Sequence, residues 1–288
     1  MSRIVYVNGQ YLPYSRAAVH VEDRGFQFAD AVYEVIEVRN RCLVDATQHL
    51  KRLTRSLSQL QMPHPMSERA LRHVIHETVR RNRVGNGQVY LQITRGAAPR
   101  DFFFPKSEET PPTLVCLARS LSPEMQAAKA QRGIAVTTAP DIRWQRCDIK
   151  TVMLLPACLA KSGAREAGAQ EAWFVDSQGF ITEGASSNAW IILDDNTLVT
   201  RQLSNKILPG ITRATTTRVL KALNLRLHER PFTPDEVKSA KEAFVTSASA
   251  QVMPVVKIDG QPIATGIPGE LTLKLRAAFY SEAETSVL

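Results

Sequence analysis

The chain has 288 residues, 44% of them hydrophobic and 22% charged, which allows ordinary apolar cores without disulfide or metal staples. That balance excludes disorder, collagen and coiled coil as readings of the whole chain. Thirty-six Lys and Arg against 28 Asp and Glu leave a formal charge of +8, and no apolar run approaches the ~18 residues of a membrane helix.

The pattern opens with a hairpin. Ile4 to Val7 and Tyr11 to Pro13 flank Asn8-Gly9, a strong two-residue turn signal. Ala31 to Val38 is β-branched, and Cys42 to Val44 answers it across Asn40-Arg41. Asp45 then opens a helix, with Gln48 placed for a capping box and Leu50, Leu53, Leu57 and Leu60 on one face. Met66 to Arg83 predicts a second helix, and Gly85-Asn86-Gly87 turns into a strand with Val89, Leu91 and Ile93 alternating. A loop from Gly96 to Pro112 carries Arg100 and three consecutive phenylalanines, and Thr113 to Leu117 is a short strand.

The polar, Ala-rich stretch 121–132 predicts a linker between a domain over 1–120 and a second over 133–288. The second part opens with strand Ile134 to Thr138 and a helix over Val152 to Ala167, where Pro156 falls early. Trp173 to Val175 and Phe180 to Thr182 form a hairpin across Asp176-Ser177-Gln178-Gly179. Strands follow near Ala189 to Leu193, Leu198 to Thr200 and Ala243 to Thr246, with a helix over Thr212 to Leu223. Strands outnumber the crossover helices of a doubly wound fold, so the reading is two α+β domains.

A basic balance suggests nucleic acid, but the cations are dispersed apart from Arg80, Arg81 and Arg83, and a patch facing small anions fits equally well. The N-terminal MSRIVYVNGQ lacks a signal-peptide core, so the expected address is the cytoplasm, with no membrane partner. Cys42, Cys116, Cys147 and Cys158 form no C-x-x-C, which argues against zinc and for reduced thiols.

Several residues can carry chemistry, and each also has an ordinary reading. Lys150 precedes apolar Val152 to Leu155; burial or a neighbouring cation would favour its neutral, nucleophilic form, and a solvated lysine is the alternative. Glu183 stands beside Gly184, Ala185 and Ser186, where a flat ligand can approach a carboxylate, or where a β-turn glutamate sits. Pro209-Gly210-Ile211-Thr212 enters a helix whose first N–H groups suit a phosphate, though many helices begin this way. Thr246-Ser247-Ala248-Ser249 ends a strand with small hydroxyl residues, and Arg52 lies off its leucine stripe as a solvated charge or an anion ligand. His73, His76 and Glu77 match neither zincin order and read as surface groups, so no metal is expected. Gly85 and Gly87 make no dinucleotide fingerprint, and Ser186-Ser187 completes no nucleophile elbow.

The order of these pieces is more specific than any one of them. Glu22-Asp23-Arg24-Gly25-Phe26-Gln27-Phe28-Ala29-Asp30 followed by Tyr33-Glu34-Val35 resembles the opening of the fold-type IV pyridoxal-phosphate enzymes. Arg143 to Lys150, Thr182 to Asn188 and Leu208 to Arg213 resemble later blocks of that family, and Thr94-Arg95-Gly96 with Pro99-Arg100 resembles its D-amino-acid transaminase branch. The resemblance covers roughly Val5 to Gly269. It implies a two-domain α+β fold, with a smaller N-terminal α/β sandwich domain and a larger C-terminal pseudo-barrel domain that anchors the cofactor.

The resemblance also implies roles. Lys150 matches the lysine that joins pyridoxal 5'-phosphate and shuttles the substrate proton, and Glu183 the acid on the pyridine nitrogen. Arg52, with the backbone of Ile211 and Thr212, matches the phosphate ligands; Ser247 lies near the cofactor, and Leu208 matches the leucine on the ring face opposite the lysine. Tyr33 and Arg100 match two groups that bind the substrate α-carboxylate, the arginine arriving from a partner subunit, which implies a homodimer. The third group in that branch is a histidine, and Phe102 stands in its place; Ala248 likewise departs from a hydroxyl-rich loop. The implied reaction is ping-pong transamination of D-amino acids such as D-alanine or D-glutamate with an acceptor such as 2-oxoglutarate. Aminodeoxychorismate lyase and branched-chain L-amino-acid or (R)-amine transaminases share the fold and are the rivals.

Overall fold

A computed structural model of the protein describes residues 3–287. The chain forms two compact units. One holds the chain through Ser122 together with Ile149–Met153 and the segment from Glu284; the other holds Pro123–Asp148 and Leu154–Ala283.

Asn8 (φ 42°) and Gly9 (φ 91°) make the predicted primed turn between β1 (Ile4–Val7) and β2 (Gln10–Pro13). A short helix, α1 (Arg24–Phe28), starts where the Asp23 carboxylate accepts from the Gly25 N–H, and it ends at left-handed Ala29. Strand β3 (Ala31–Arg39) turns through Asn40 and Arg41, both at positive φ, into β4 (Cys42–Val44). Helix α2 (Ala46–Gln59) buries Leu50, Leu53 and Leu57, each worth roughly 1.5–3 kcal/mol, and Leu60 is half-buried at its C-cap. The expected capping box at Asp45 is not formed. Asp45 is left-handed (φ 52°), and its carboxylate accepts the Glu284 N–H at 3.0 Å instead.

Helix α3 (Glu68–Arg81) is shorter than the predicted Met66 to Arg83, because Ser67 caps it by accepting from the Ala70 N–H and Arg83 turns left-handed. On it His73 is exposed and His76 half-buried, while Arg80 and Arg81 both pair with Glu77. Strands β5 (Gly87–Thr94) and β6 (Thr113–Ser120) follow.

The stretch expected as linker contains α4 (Pro123–Arg132), a helix of the second unit. Ala130 is its only buried residue, so its sequence lacks an apolar stripe. Next come β7 (Ile134–Pro140), α5 (Leu155–Glu166), β8 (Glu171–Val175) and β9 (Ile181–Gly184). They are followed by β10 (Asn188–Ile192), β11 (Leu198–Thr200), α6 (Ile211–Ala222), β12 (Leu227–Glu229) and α7 (Pro234–Lys238). Strands β13 (Glu242–Ser247), β14 (Gln251–Ile258) and β15 (Gln261–Pro262) precede α8 (Glu270–Glu282), and β16 (Thr285–Val287) returns to the first unit.

The first unit's sheet has seven strands in the order β16-β4-β3-β5-β6-β1-β2, all antiparallel. The second has nine: β12-β11-β10-β13-β14-β7-β8-β9, with β15 on β14. Strand β9, last in that order, turns back beside β10, and the Gly184 N–H donates to Ser187 O at 2.7 Å. That return curls the sheet around Trp173, Phe232, Ile191, Val245 and Met253, all buried. Among the described residues no helix is long and apolar enough to cross a membrane, and the four cysteines are free thiols.

Candidate active site

In the first unit, Lys150 is placed by backbone pairing. Val152 does not start a helix, as the sequence predicted; residues 150–152 pair instead with the first residues of β3. The Tyr33 N–H donates to Lys150 O at 3.0 Å, the Val152 N–H donates to Ala31 O at 3.1 Å, and Val32 bridges Thr151. Helix α5 therefore opens only at Leu155, with Pro156 in its first turn. The Lys150 N–H also reaches Ser56 Oγ on α2 at 3.3 Å. This short ladder sets Lys150 Nζ 4.2 Å from the centroid of the Tyr33 ring, which stacks on Tyr90 at 5.6 Å.

Arg52 is not solvated; only 7% of it is exposed. Its Nε and Nη2 each donate to Glu34 at 2.8 Å, and His49 Nδ1 shares the same carboxylate at 2.7 Å. Burial would raise the Glu34 carboxyl, but the Arg52 charge and the hydrogen bonds from Arg52 and His49 outweigh it and hold it at about 2. His49 lies below its usual range because burial disfavours its charged form; Arg52 and Lys150 add to this and Glu34 opposes it. Neither Glu34 nor His49 stands out in the sequence as a site residue. The alternation of β3, which turns Glu34 inward with Val32 and Ile36, is the available signal.

Arg100 and Phe102 lie on the loop before β6. Phe102 is 81% exposed and Phe103 82%. The loop is nevertheless braced. Arg24 Nη1 donates to the carbonyls of Asp101 (2.7 Å) and Phe103 (3.4 Å). Asp30 accepts from Arg24 Nε at 2.9 Å and from Arg95 Nε at 2.7 Å. Phe104 covers the Arg95 guanidinium at 3.7 Å, and Phe102 meets Phe28 edge-on at 5.8 Å with Arg100 5.2 Å from the Phe28 ring.

In the second unit, Glu183 is the next-to-last residue of β9, with 5% exposure. Its Oε1 accepts from Arg143 Nη1 at 2.6 Å and its Oε2 from Asn188 Nδ2 at 2.9 Å. The Leu208 N–H lies 3.2 and 3.1 Å from the two oxygens. Arg143 is oriented by Asp141, which accepts from its Nε at 2.9 Å and Nη2 at 2.8 Å. Burial opposes that charge, but Asp141 and Glu183 outweigh it and raise the Arg143 pKa further. Neither Arg143 nor Asn188 is conspicuous in the sequence individually, although both fall inside the family-like blocks.

Leu208 leads through Pro209 into Gly210, the N-cap of α6, so that Ile211 and Thr212 supply the first helical N–H groups. Gly210 brings no side-chain cap to that turn, which leaves the helix's positive end for an anion. Ser247 and Ala248 occupy the half-buried turn between β13 and β14, where Ser247 Oγ and Ser249 Oγ lie 3.4 Å apart. The second unit thus joins Glu183 to Leu208 by hydrogen bonds, with Ile211 and Thr212 following Leu208 in the first turn of α6. The first gathers Lys150, Tyr33 and the Arg52 cluster, and carries Arg100 and Phe102 on a separate exposed loop.

Taken unit by unit, the donors fit the parts of a phosphorylated pyridine aldehyde. In the second unit a buried carboxylate paired with a guanidinium suits a protonated ring nitrogen and a helix start suits a phosphate; in the first, the primary amine of Lys150 suits an aldehyde carbon. Among the described residues no group of His, Cys, Asp and Glu could hold a metal ion.

Residues 31–258 match the amino-transferase class IV family. The chain is 38% identical over 277 residues to a D-alanine aminotransferase of Bacillus licheniformis, covering 96% of each chain. It is 38% identical over 285 residues to one of Staphylococcus haemolyticus, covering 98% of this chain and 99% of the other. Among solved structures, the Escherichia coli branched-chain amino acid aminotransferase superposes with a TM-score of 0.86 at 23% identity, covering 98% of this chain and 94% of the other. The branched-chain enzyme of Thermoproteus uzoniensis with norvaline also gives 0.86, at 22% identity, covering 99% of each chain. Both are likenesses of fold. These matches, with the two-unit α+β architecture, place the chain in the class IV aminotransferase family.

Proposed function

We propose that the protein is a homodimeric, pyridoxal-5'-phosphate-dependent transaminase that moves the amino group of a D-amino acid such as D-alanine to a 2-oxo acid such as 2-oxoglutarate. The observation that carries this reading is the end-to-end similarity to D-alanine aminotransferases at 38% identity. The amino group and a hydrogen leave the donor as it becomes a 2-oxo acid and arrive on the acceptor, so the two half-reactions balance without an external oxidant.

When bound, pyridoxal phosphate supplies an aldehyde that bonds to amines and a ring that withdraws electrons from the substrate Cα. The protein's residues do the rest. Lys150 Nζ would hold the resting cofactor and, once released from it, carry the proton from the substrate Cα to the carbon that had been the cofactor's aldehyde. Glu183, paired with Arg143, would hold the proton on the ring nitrogen. The amides of Ile211 and Thr212, with Ser247 and Arg52, retain the phosphate, and Ala248 adjoins the substrate. Leu208 packs on the ring and excludes water from that face. Arg100 of one protomer, with Tyr33 of the other, clamps the α-carboxylate, a task for which a planar guanidinium is suited.

The test is the visible spectrum of the purified protein before and after D-alanine, with L-alanine as control. The expected result is a yellow band that bleaches with the D form alone. Bleaching with L-alanine alone overturns the substrate hand. A protein that stays colourless in added pyridoxal phosphate overturns the whole reading, and repeated release of pyruvate from aminodeoxychorismate with no amino acceptor points to a lyase.

A further inference from the structure

Asn188 begins β10 with 4% exposure and touches most of the elements just assembled in the second unit. Its Nδ2 donates to Glu183 Oε2 at 2.9 Å and to Leu208 O at 3.0 Å, using both amide hydrogens. The Leu208 N–H returns to the Glu183 carboxylate at 3.1 Å, which closes a three-membered ring of acid, amide and backbone. The Asn188 Oδ1 lies against Gly210, where any Cβ would overlap it. Gly210 sits at φ −65°, ψ 133°, a conformation open to every residue, so space rather than backbone freedom demands the glycine. In the sheet, Asn188 is the register partner of Thr246, the residue before Ser247.

We infer that Asn188 is a positioning residue that locks the acid Glu183, the leucine Leu208 and the first turn of α6 into one preorganised cofactor seat. The inference rests on the reading of this site as a pyridoxal-phosphate site. The three nearest replacements do not serve. Aspartate offers no donor and sets a second carboxylate beside Glu183, leucine leaves two buried acceptors without these bonds, and glutamine is one methylene too long for the packed space. A group that orients its neighbours this way typically changes ligand affinity by about 10–100-fold when removed.

The experiment uses the full-length chain and the variants Asn188→Ala, Gly210→Ala, Glu183→Gln and the Asn188→Ala/Glu183→Gln double. Affinity for pyridoxal 5'-phosphate is read by quenching of protein fluorescence, the absorbance of the bound chromophore is titrated with pH, and the thermal midpoint is recorded without cofactor. Asn188→Ala is expected to weaken binding about tenfold or more and to shift the chromophore's titration. Gly210→Ala keeps Asn188 but pushes on its amide, so it should reproduce both changes, and it carries the test if Asn188→Ala does not fold. In the Glu183→Gln background the further loss from Asn188→Ala should shrink to about threefold or less, because the two side chains act together. Wild-type affinity with an unshifted titration in Asn188→Ala and Gly210→Ala overturns the inference, as does full additivity in the double variant. A wild-type chain that does not bind the cofactor overturns the underlying reading, and this inference with it.

Discussion

Arg52 and Glu34 meet edge to edge in the first unit, with two parallel hydrogen bonds of 2.8 Å between groups that are 7% and 0% exposed. A buried pair of this kind is costly to break and cheap to replace. Glu34→Gln should lower the unfolding free energy by about 3–5 kcal/mol, since a buried guanidinium loses its counter-charge. The pair of changes Glu34→Leu and Arg52→Met should recover most of that loss. Urea unfolding of the three proteins measures both effects, and equal stabilities across them would contradict the account.

The same carboxylate makes stability depend on acid. Glu34 titrates at about 2 in the folded chain against 4.5 ordinarily, so it adds stability in full above pH 4.5 and loses it as pH falls through 2. The shift corresponds to about 3 kcal/mol. His49, whose pKa burial lowers, works in the same direction: below about pH 6.5 the unfolded chain takes up its proton before the folded one does. Urea midpoints recorded from pH 7 downward should therefore fall. The fall below pH 4.5 should be shallower in Glu34→Gln; a parallel curve would remove Glu34 as its cause.

Lys150 presents its amine over the Tyr33 ring. Lys150→Ala should leave the protein without a yellow band after incubation with pyridoxal phosphate. It should cut turnover by about 10²–10⁴-fold or more, the scale of a lost proton-transfer group. Lys150→Arg preserves the charge but not the nucleophile, and should be as inactive. Absorbance and a coupled 2-oxo-acid assay decide this, and near-native turnover in either variant rejects the role.

On the exposed loop, Arg100→Ala should weaken every α-carboxylate substrate by ~2–3 kcal/mol, seen mainly as a raised KM. Phe102→His introduces the donor that the family resemblance implies at this position, and should lower KM for D-alanine. Unchanged kinetics in both would mean that other groups hold the carboxylate.

Arg24 fastens that loop from beneath, through the carbonyls of Asp101 and Phe103. Arg24→Met should leave those carbonyls without this donor, so limited proteolysis should cut between residues 100 and 105 faster than in the wild type. KM should rise more than kcat falls. A cleavage rate equal to that of the wild type would show that the aromatic contacts alone hold the loop.

What the sequence exposed was local. The Asn8-Gly9 and Asn40-Arg41 turns, the leucine stripe of α2 and six strands of the second unit (β7 to β11 and β13) are written in neighbouring residues, and they form close to where they were read. The order of the motifs also pointed to Lys150, Glu183 and the Leu208 to Thr212 segment. Interactions between distant positions were not legible. Arg143 reaches Glu183 from 40 residues away, and Arg52 meets Glu34 from 18, so no window of sequence shows either pair. The start of α5 was misplaced for the same reason: residues 150–152 are helix-compatible alone but are drawn into pairing with Ala31 and Tyr33. The 121–132 stretch read as a linker because a helix that buries one alanine has no apolar period to detect. The C-terminal third went largely unread: β14 has a nearly continuous buried face rather than an alternating one, and α8 buries only Thr272, Leu275 and Phe279.

Strand β16 closes the edge of the first unit's sheet against β4, and Glu284 binds both the backbone of Asp45 and the hydroxyl of Thr47. During synthesis the residues through Ser122 emerge early, yet their sheet lacks its seventh strand until residues 285–287 have followed. The unit begun first is thus the last to be completed. In the interval β4 is an open strand edge that can pair with another chain, so a nascent or C-terminally clipped polypeptide carries a sticky edge that the finished protein covers.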